Sequence, residues 1–207
     1  MAPGTQVDVE LRVRHLCEAG DYDKATTEAL RAYGGELMRF LCACHKSEES
    51  AADVFSVFAE DLWRGLKGFV WECSLRTWAY TLVRRASFRT MHRKRRTVVK
   101  SPSALSGLVQ EVRTETLTYL RTERKTRLRA LREALPEADQ ALLMLRVDRG
   151  LSWDELARVL SDDEIADAEG RQREAARLRK RFQVVKERLK SLAKREGLYP
   201  RRNGDGS

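Results

Sequence analysis

The spacing of apolar residues in the stretch 171–192 predicts an amphipathic helix. Apolar side chains recur there at steps of four, three, four and three residues, at Leu178, Phe182, Val185, Leu189 and Leu192. This spacing places them on one stripe of a helix. The remaining positions are rich in arginine and lysine, so such a helix can pack on its own domain and still offer charge to a polyanion. A solvated helix without a ligand is the alternative interpretation.

A second, shorter helix is predicted just before this one, at 151–160. It follows Gly150, and Ser152 stands at the position of an N-cap with Glu155 three residues later. Ser and Glu at this spacing form a capping box. A short capped helix followed by a basic helix is typical of a helix-turn-helix, in which the second helix enters the major groove of DNA.

The rest of the chain is also predicted to be helical. Apolar periodicity indicates helices over 21–44, 51–66, 77–96 and 137–147, and a long helix from about residue 109. Gly34 and Gly35 are expected to weaken the first of these and to bend it. Residues 1–20 are interpreted as a leader with one or two helical turns. The stretch 97–108 holds Pro102, Gly107 and several serines, which favours a linker.

Aromatic and cationic residues cluster around the third of these helices. The loop 67–76 brings Phe69 and Trp71 close together beside cationic residues, an arrangement that suits stacking on unpaired bases. The alternative, that these rings fill the core, is the more common fate of aromatic residues. Positive charge is concentrated at the C-terminal end of helix 77–96, where it can contact phosphates or only complement the helix dipole.

These observations predict an all-α chain of two small helical domains joined by a flexible linker. The expected boundaries are a leader at 1–20, a first domain at 21–96, a linker at 97–112, a second domain at 113–198 and a tail at 199–207. The 207 residues are enough for two such domains, and 12 glycines and 4 prolines are few, which favours helices.

Charge and hydropathy narrow the choice of partners. The net charge of +9 points to a polyanion, and to nucleic acid in particular. No apolar stretch of roughly 18 or more residues is present, so no membrane insertion is expected. The N-terminal residues lack the apolar core of a signal peptide, and a cytoplasmic location is expected.

Two cysteines and a neighbouring histidine are the candidates for a metal site in this sequence. Cys42, Cys44 and His45 could bind zinc, but they lack a second ligand pair at zinc-finger spacing and fall in a helical apolar pattern. Half-buried reduced thiols are therefore preferred, and no cofactor or metal is expected. Three histidines in all, no Gly-rich phosphate loop and no paired inward carboxylates make an enzyme improbable.

The order and spacing of these segments resemble the extracytoplasmic-function group of bacterial sigma factors, in the sigma-70 family. The segments that match sigma region 2 are 33–41, 53–63 and 76–82 with the basic run after it. Those that match sigma region 4 are 135–143, 150–157 and the basic helix. The resemblance covers roughly 22–96 and 124–197, and implies a factor that binds core RNA polymerase and directs promoter-specific initiation.

The resemblance implies a role for each segment. Helix 51–64 would bind the polymerase clamp, through residues Asp53, Ser56, Val57, Glu60 and Arg64. The loop 67–76 would take a flipped base and helix 77–96 would lie along the −10 element, through Trp71, Arg76, Arg84, Arg85, Phe88, Arg89, His92 and Arg93. The last helix would read the −35 element, through Arg173, Arg177, Arg179, Lys180, Arg181 and Gln183.

This chain departs from the family pattern at three places. Ser56 and Val57 stand where the family often has Gln-Glu, and Arg85 and Arg89 stand where it commonly has Asn and Asp. About eleven extra residues, near 161–171, separate the two helices of the helix-turn-helix, where three or four are usual. A small extra helix is the preferred interpretation of this acidic insertion, and a contact with another protein is the alternative.

Promoter DNA, core RNA polymerase and an anti-sigma factor are the partners that the resemblance implies. A stand-alone helix-turn-helix regulator that binds a palindrome as a dimer is the alternative function. The two functions differ in how the pure protein binds DNA. A sigma factor binds DNA weakly alone and acts only with polymerase, whereas a dimeric regulator binds its duplex by itself.

Overall fold

Helices make up all the regular secondary structure that the computed structural model describes, which confirms the all-α prediction for these residues. The described residues are 6–45, 47–92, 103–122, 127–161 and 167–198. The α-helices are α1 Gln6–Glu18, α2 Tyr22–Cys44, α3 Glu48–Gly65, α4 Leu75–His92, α5 Ser103–Thr122, α6 Arg127–Glu133, α7 Glu137–Leu143, α8 Trp153–Leu160 and α9 Ala168–Arg195. A 3-10 turn, Leu66–Gly68, follows α3, and a π-helical turn, Met144–Asp148, follows α7.

The chain divides into two compact units. The first comprises residues 1–123 with 158–160, and the second comprises 124–157 with 161–207. In the first unit α2 is the central helix, packed against α1, α3, α4 and α5. Its core is built around large side chains that are almost completely buried, among them Leu37, Met38, Phe55, Phe58 and Tyr80.

At the start of α2 and of α3, a polar side chain accepts a hydrogen bond from a backbone amide of the first turn. Asp21 accepts a hydrogen bond from the Lys24 amide at the start of α2, and Ser47 accepts one from the Ser50 amide at the start of α3. Each bond satisfies an amide that the first turn of a helix leaves unpaired. Gly34 and Gly35, where a bend was expected, do not interrupt α2, which runs from Tyr22 to Cys44.

The predicted leader is instead a helix of the first unit. Val9 and Val13 of α1 are buried, and α1 packs along α2. Glu10 lies on the same helix and its carboxylate accepts hydrogen bonds from the backbone amides of Leu75 and Arg76, at 2.7 and 3.1 Å. A carboxylate at this position caps α4 and complements its dipole. The segment 6–18 therefore helps to hold the start of α4.

The predicted linker is wrong over its second part. Residues 103–112 belong to α5, which packs on α2 and α3 through buried Leu105, Val109 and Val112. Gly34 allows this approach, because a Cβ atom there would lie 3.0 Å from Cγ1 of Val112. The serines and Gly107 that suggested a linker do not prevent a helix once one side of it is buried. Residues 97–102 lie outside the described part of the chain.

The second unit is built as its apolar spacing predicted. Leu135, Leu143 and Val185 form a buried cluster, and other side chains of the α9 stripe pack against it, namely Phe182, Leu189 and Leu192. The capping box is also confirmed: Ser152 Oγ accepts from the Glu155 amide at 3.2 Å, and the Glu155 carboxylate accepts from the Ser152 amide at 2.7 Å. Both signals are local in sequence, which is why they could be recognised there.

The extra residues before α9 are only partly described. Asp167 caps α9 by accepting a hydrogen bond from the Gly170 amide at 2.6 Å. The residues from 168 onward are thus part of α9, and the predicted small extra helix falls on residues 162–166, which lie outside the described part. No helix in the described ranges is long and apolar enough to span a membrane.

Candidate nucleic-acid interface

The side of α9 opposite its apolar stripe is exposed and carries cationic and polar side chains. Lys180, Gln183 and Val184 are exposed near the middle of the helix, and Val184 is 67% exposed. They are three and four residues apart, so they share one side of the helix. This outer face is what the second unit can present to a partner.

One flank of α9 is held by an ion pair with α7. Arg181 Nε donates a hydrogen bond to Oδ1 of Asp139 over 2.7 Å, and the Asp139 side chain is only 11% exposed. Arg188, two turns along the same flank, lies 3.7 Å from the other oxygen of that carboxylate. Arg181 was expected to contact DNA, but its guanidinium is engaged with Asp139 within the unit.

The other flank of α9 is held by an aromatic contact. The rings of Trp153 in α8 and Phe182 in α9 meet edge to face, with their centroids 5.6 Å apart. The guanidinium of Arg179 lies 5.7 Å from the Trp153 ring, and that of Arg146 lies 4.8 Å from it. Cations at such distances are attracted to an indole ring. Arg179 is therefore positioned by α8, with its residue still exposed to solvent.

Two further arginines of the predicted −35 set make only local pairs. Arg173 lies 3.4 Å from Glu169, and Arg177 lies 3.2 Å from Glu174. The two arginine side chains are 72% and 69% exposed. Surface pairs of this kind are weak, so both guanidiniums can exchange their carboxylate for a phosphate. Lys180 and Gln183 follow these arginines along the helix, around its middle.

In the first unit, the aromatic residues after α3 pack on one another. The Phe69 ring stacks on Trp78 of α4 with a centroid distance of 4.5 Å, and lies 4.8 Å from the Trp71 ring. The guanidinium of Arg14, from α1, lies 5.6 Å from Trp71. Trp71 has a positive φ of 60°, which L-residues rarely adopt. The interpretation of these rings as a structural plug fits this packing better than that of a free stacking surface.

Arg76 was expected to contact the −10 element, but it forms an ion pair inside the first unit. Its guanidinium donates to both carboxylate oxygens of Glu36, at 2.7 and 3.1 Å. The two side chains are 15% and 17% exposed. Nearby, burial together with the Glu10 carboxylate raises the pKa of the Tyr33 hydroxyl, which donates to Glu10 over 3.0 Å. Arg76 thus fixes α4 on α2.

The outer face of α4 retains three of the predicted residues. Arg85 and Phe88 are exposed, and Arg89, which forms an ion pair with Asp61, is 47% exposed. Arg84 is half-buried. The side chain of His92 and all of Arg93 lie outside the described part. The residues Arg85, Phe88 and Arg89 are three and four positions apart and so share one side of the helix, which we call the α4 face.

The residues of α3 expected to bind polymerase differ in exposure. Asp53 and Arg64 are exposed, whereas Glu60 is 7% exposed and forms an ion pair with Arg64. Ser56 and Val57 are half-buried. Ser56 Oγ accepts a hydrogen bond from Arg113 of α5 over 3.5 Å. The expected contact surface is partly covered because α5 packs against α3, although the sequence placed the residues of this helix from 113 on in the second domain.

The structure does not assemble the cysteines and histidine into a metal site. Cys42 and Cys44 are half-buried and outside any disulfide, and the His45 ring shares a hydrogen bond of 2.5 Å with Ser87 Oγ. In the described residues, no group of three or more His, Cys, Asp or Glu side chains could hold a metal ion. Burial, followed by the charge of Glu18, raises the pKa of the Cys17 thiol, which favours its protonated form.

Three acidic residues that position these faces were missed in the sequence. Glu10, Glu36 and Asp139 contact partners 65, 40 and 42 residues away. Each occurs in an ordinary amphipathic helix, where a carboxylate is usually solvated. No local pattern marks them, so only the folded arrangement could reveal them.

No protein-family model, curated protein or solved structure matches the chain. Its function is therefore inferred from the α4 face, the outer face of α9 and the sequence resemblance.

Proposed function

We propose that this protein is a sigma factor of the extracytoplasmic-function group, which binds core RNA polymerase and directs promoter-specific initiation of transcription. The observation that carries the proposal is the outer face of α9. A capped helix, α8, packs against α9 through Trp153 and Phe182, and the opposite side of α9 is left with Lys180, Gln183 and Val184 exposed. This is what a helix-turn-helix needs to enter a major groove.

The chemistry of that face suits the −35 element of a promoter. Glutamine can form two hydrogen bonds with adenine in the major groove, and lysine can donate to guanine. Arg173 and Arg177, on the same side and highly exposed, suit phosphate contacts that fix the register of the helix. We assign base contacts to Lys180 and Gln183 and backbone contacts to the two arginines.

The α4 face supports a second contact, with the −10 element. Arg85, Phe88 and Arg89 lie on it, and in the sequence a run of cations, Arg93-Lys-Arg-Arg96, follows the helix. Opening a duplex costs about a few kcal/mol for each base step that is unstacked. Cationic and aromatic groups that hold the separated strands offset part of that cost.

The remaining partners follow from the same proposal. Asp53 and Arg64 are the exposed members of the α3 set, and we assign the clamp contact to them together with the exposed edges of Ser56 and Val57. The protein would act in the cytoplasm, as part of the holoenzyme on promoter DNA. An anti-sigma factor is the expected antagonist.

Run-off transcription tests the proposal. Purified bacterial core polymerase is supplied with the region upstream of the gene, with and without this protein. We expect transcripts only when the protein is present, and co-purification of the two. The variant Lys180→Ala combined with Gln183→Ala should lower the yield, whereas Lys190→Ala, an exposed cation toward the C-terminus of α9, should not.

Two results would reject the proposal. Transcription that does not depend on the protein, together with no binding to polymerase, would contradict a sigma factor. Specific binding of the pure protein to a palindromic duplex as a dimer would favour the stand-alone helix-turn-helix regulator instead.

A further inference from the structure

Helix α5 lies against the surface of α3 that is assigned to the contact with core polymerase. Ser56, in the middle of that surface, is half-buried, and its hydroxyl accepts a hydrogen bond from the Arg113 guanidinium of α5 over 3.5 Å. Val57, the next residue, is also half-buried. Asp53 and Arg64, toward the two ends of the surface, are exposed. A partner that binds along the whole of this surface therefore competes with α5 for its centre.

The docked position of α5 depends on a close approach to α2. Val109, Val112 and Thr116 of α5 are buried, with 9% exposure or less. Gly34 of α2 makes room for Val112, since a Cβ atom at Gly34 would lie 3.0 Å from Cγ1 of Val112. Glycine weakens the interior of a helix, and here it is what allows the two helices to pack so closely. The contact between α5 and α2 is therefore a specific one.

The helix that occupies this position is weak by itself. Its first five residues, 103–107, are Ser-Ala-Leu-Ser-Gly, and serine and glycine are poorer helix formers than alanine. Nothing lies within 4 Å of a Cβ atom at Gly107, so packing does not require a glycine there, in contrast to Gly34. The Nε atom of Arg113 is buried without a hydrogen-bond partner among the described residues, which costs free energy. Thus α5 combines specific packing with local features that favour its release.

We propose that α5 is an intramolecular cover of α3, which core polymerase displaces when it binds. This inference rests on the proposed function and adds regulation to it. The free protein keeps the centre of its polymerase-binding surface closed, and only the molecules in which α5 is released bind polymerase at full affinity. The apparent affinity is then the intrinsic affinity multiplied by the fraction of released molecules.

Two substitutions of glycine by alanine should shift the cover in opposite directions. Gly107→Ala strengthens α5 without a steric conflict and should favour the closed form about fivefold. Gly34→Ala places a methyl group against Val112 and should favour release about tenfold. Replacing Val112 with alanine as well makes room for that methyl group. The double variant, Gly34→Ala with Val112→Ala, should therefore return toward the wild type.

The position of α5 and the affinity for polymerase are both measured on the full-length protein. Hydrogen exchange of the α5 amides reports release of the helix, and fluorescence anisotropy of labelled protein gives the Kd for bacterial core polymerase. For Gly107→Ala we expect slower exchange and about fivefold weaker binding, and for Gly34→Ala faster exchange and tighter binding. Gly68→Ala is the matched control, because this glycine lies outside α5 and a Cβ atom there also meets nothing within 4 Å. Circular dichroism checks that each variant is folded.

The outcomes distinguish this inference from the proposed function. Opposite changes in exchange with equal affinities for polymerase would overturn the cover, since polymerase would then bind without moving α5. Exchange of the α5 amides that neither substitution alters would overturn it as well. In both cases, binding of the wild type to polymerase leaves the sigma-factor proposal intact. If neither the wild type nor Gly34→Ala binds core polymerase, the sigma-factor proposal itself fails, and the cover with it.

Discussion

Arg181 of α9 and Asp139 of α7 are joined by a hydrogen bond of 2.7 Å between Nε and Oδ1. Asp139 is 8% exposed, so its charge is satisfied mainly by this contact and by the more distant Arg188. The bond fixes the rotation of α9 about its own axis. Lys180, the residue before Arg181, is thereby turned outward.

Alanine substitutions of the neighbouring cations Lys180 and Arg181 should therefore affect different properties, DNA binding for the first and stability for the second. Arg181→Ala leaves the carboxylate of Asp139 without its nearest partner and should lower the free energy of unfolding by about 1–3 kcal/mol. Lys180→Ala should leave stability unchanged and weaken binding to promoter DNA. Urea denaturation followed by circular dichroism and a DNA-binding titration measure the two effects. Equal stability of the two variants would contradict the assignment of Arg181 to a positioning role.

The carboxylate of Glu10 should stabilise the first unit. It accepts hydrogen bonds from two amides at the start of α4 and from the Tyr33 hydroxyl. Glu10→Ala should therefore lower the free energy of unfolding by about 2 kcal/mol, from the lost cap and the donors left unpaired. Glu18→Ala is the control, because that side chain is 63% exposed and pairs only with Arg14 on the same helix. If both variants unfold at the same urea concentration, Glu10 does not cap α4.

Trp71 should be one of the few positions where glycine is better tolerated than alanine. Both substitutions remove the ring that contacts Phe69, so they lose the same packing. Alanine retains a Cβ atom at a φ of 60°, which costs about 1 kcal/mol relative to glycine. Thermal melts of the two variants measure the difference. A more stable alanine variant would mean that the backbone changes its conformation when the ring is removed.

Gly65 should tolerate no side chain, whereas Gly68 in the next turn should. A Cβ atom at Gly65 would lie 2.9 Å from Cζ2 of Trp78, and nothing lies within 4 Å of one at Gly68. Gly65→Ala must displace the indole that stacks on Phe69, and should cost about 1–3 kcal/mol. Gly68→Ala should change stability by less than about 0.5 kcal/mol. Denaturation followed by tryptophan fluorescence reports both, and equal costs would refute this packing.

Features set by nearby residues could be predicted from the sequence. The apolar stripe of α9 and the capping box of α8 depend on positions three and four residues apart, and the structure has both. The exposure of Lys180 and Gln183 follows from the same stripe, since the positions opposite buried residues face solvent. Helical periodicity predicts which residues of a helix are buried and which are exposed, because both depend on spacing within that one helix.

Features set by distant residues could not be predicted in this way. Residues 103–112 have the composition of a linker, yet they lie in a helix whose Val109 and Val112 are buried, and Gly34 of α2 leaves room for Val112. Arg76 and Arg85 are both arginines of the same basic helix, and the sequence does not distinguish them. In the structure, Arg76 forms an ion pair with Glu36 inside the first unit, whereas Arg85 is exposed. Whether a cation of a basic helix is exposed or paired inside the fold depends on where the carboxylates of other helices lie. The periodicity of a single helix does not contain this information.

The cap that α1 provides limits how the first unit can be produced as a separate fragment. A fragment that begins at α2, as a boundary at residue 21 would suggest, discards Glu10 and leaves the amides of Leu75 and Arg76 to water. It would also uncover the apolar surface that Val9 and Val13 occupy. Autonomous folding should therefore require a fragment that includes Gln6 and continues through α5, and shorter pieces would be prone to aggregate.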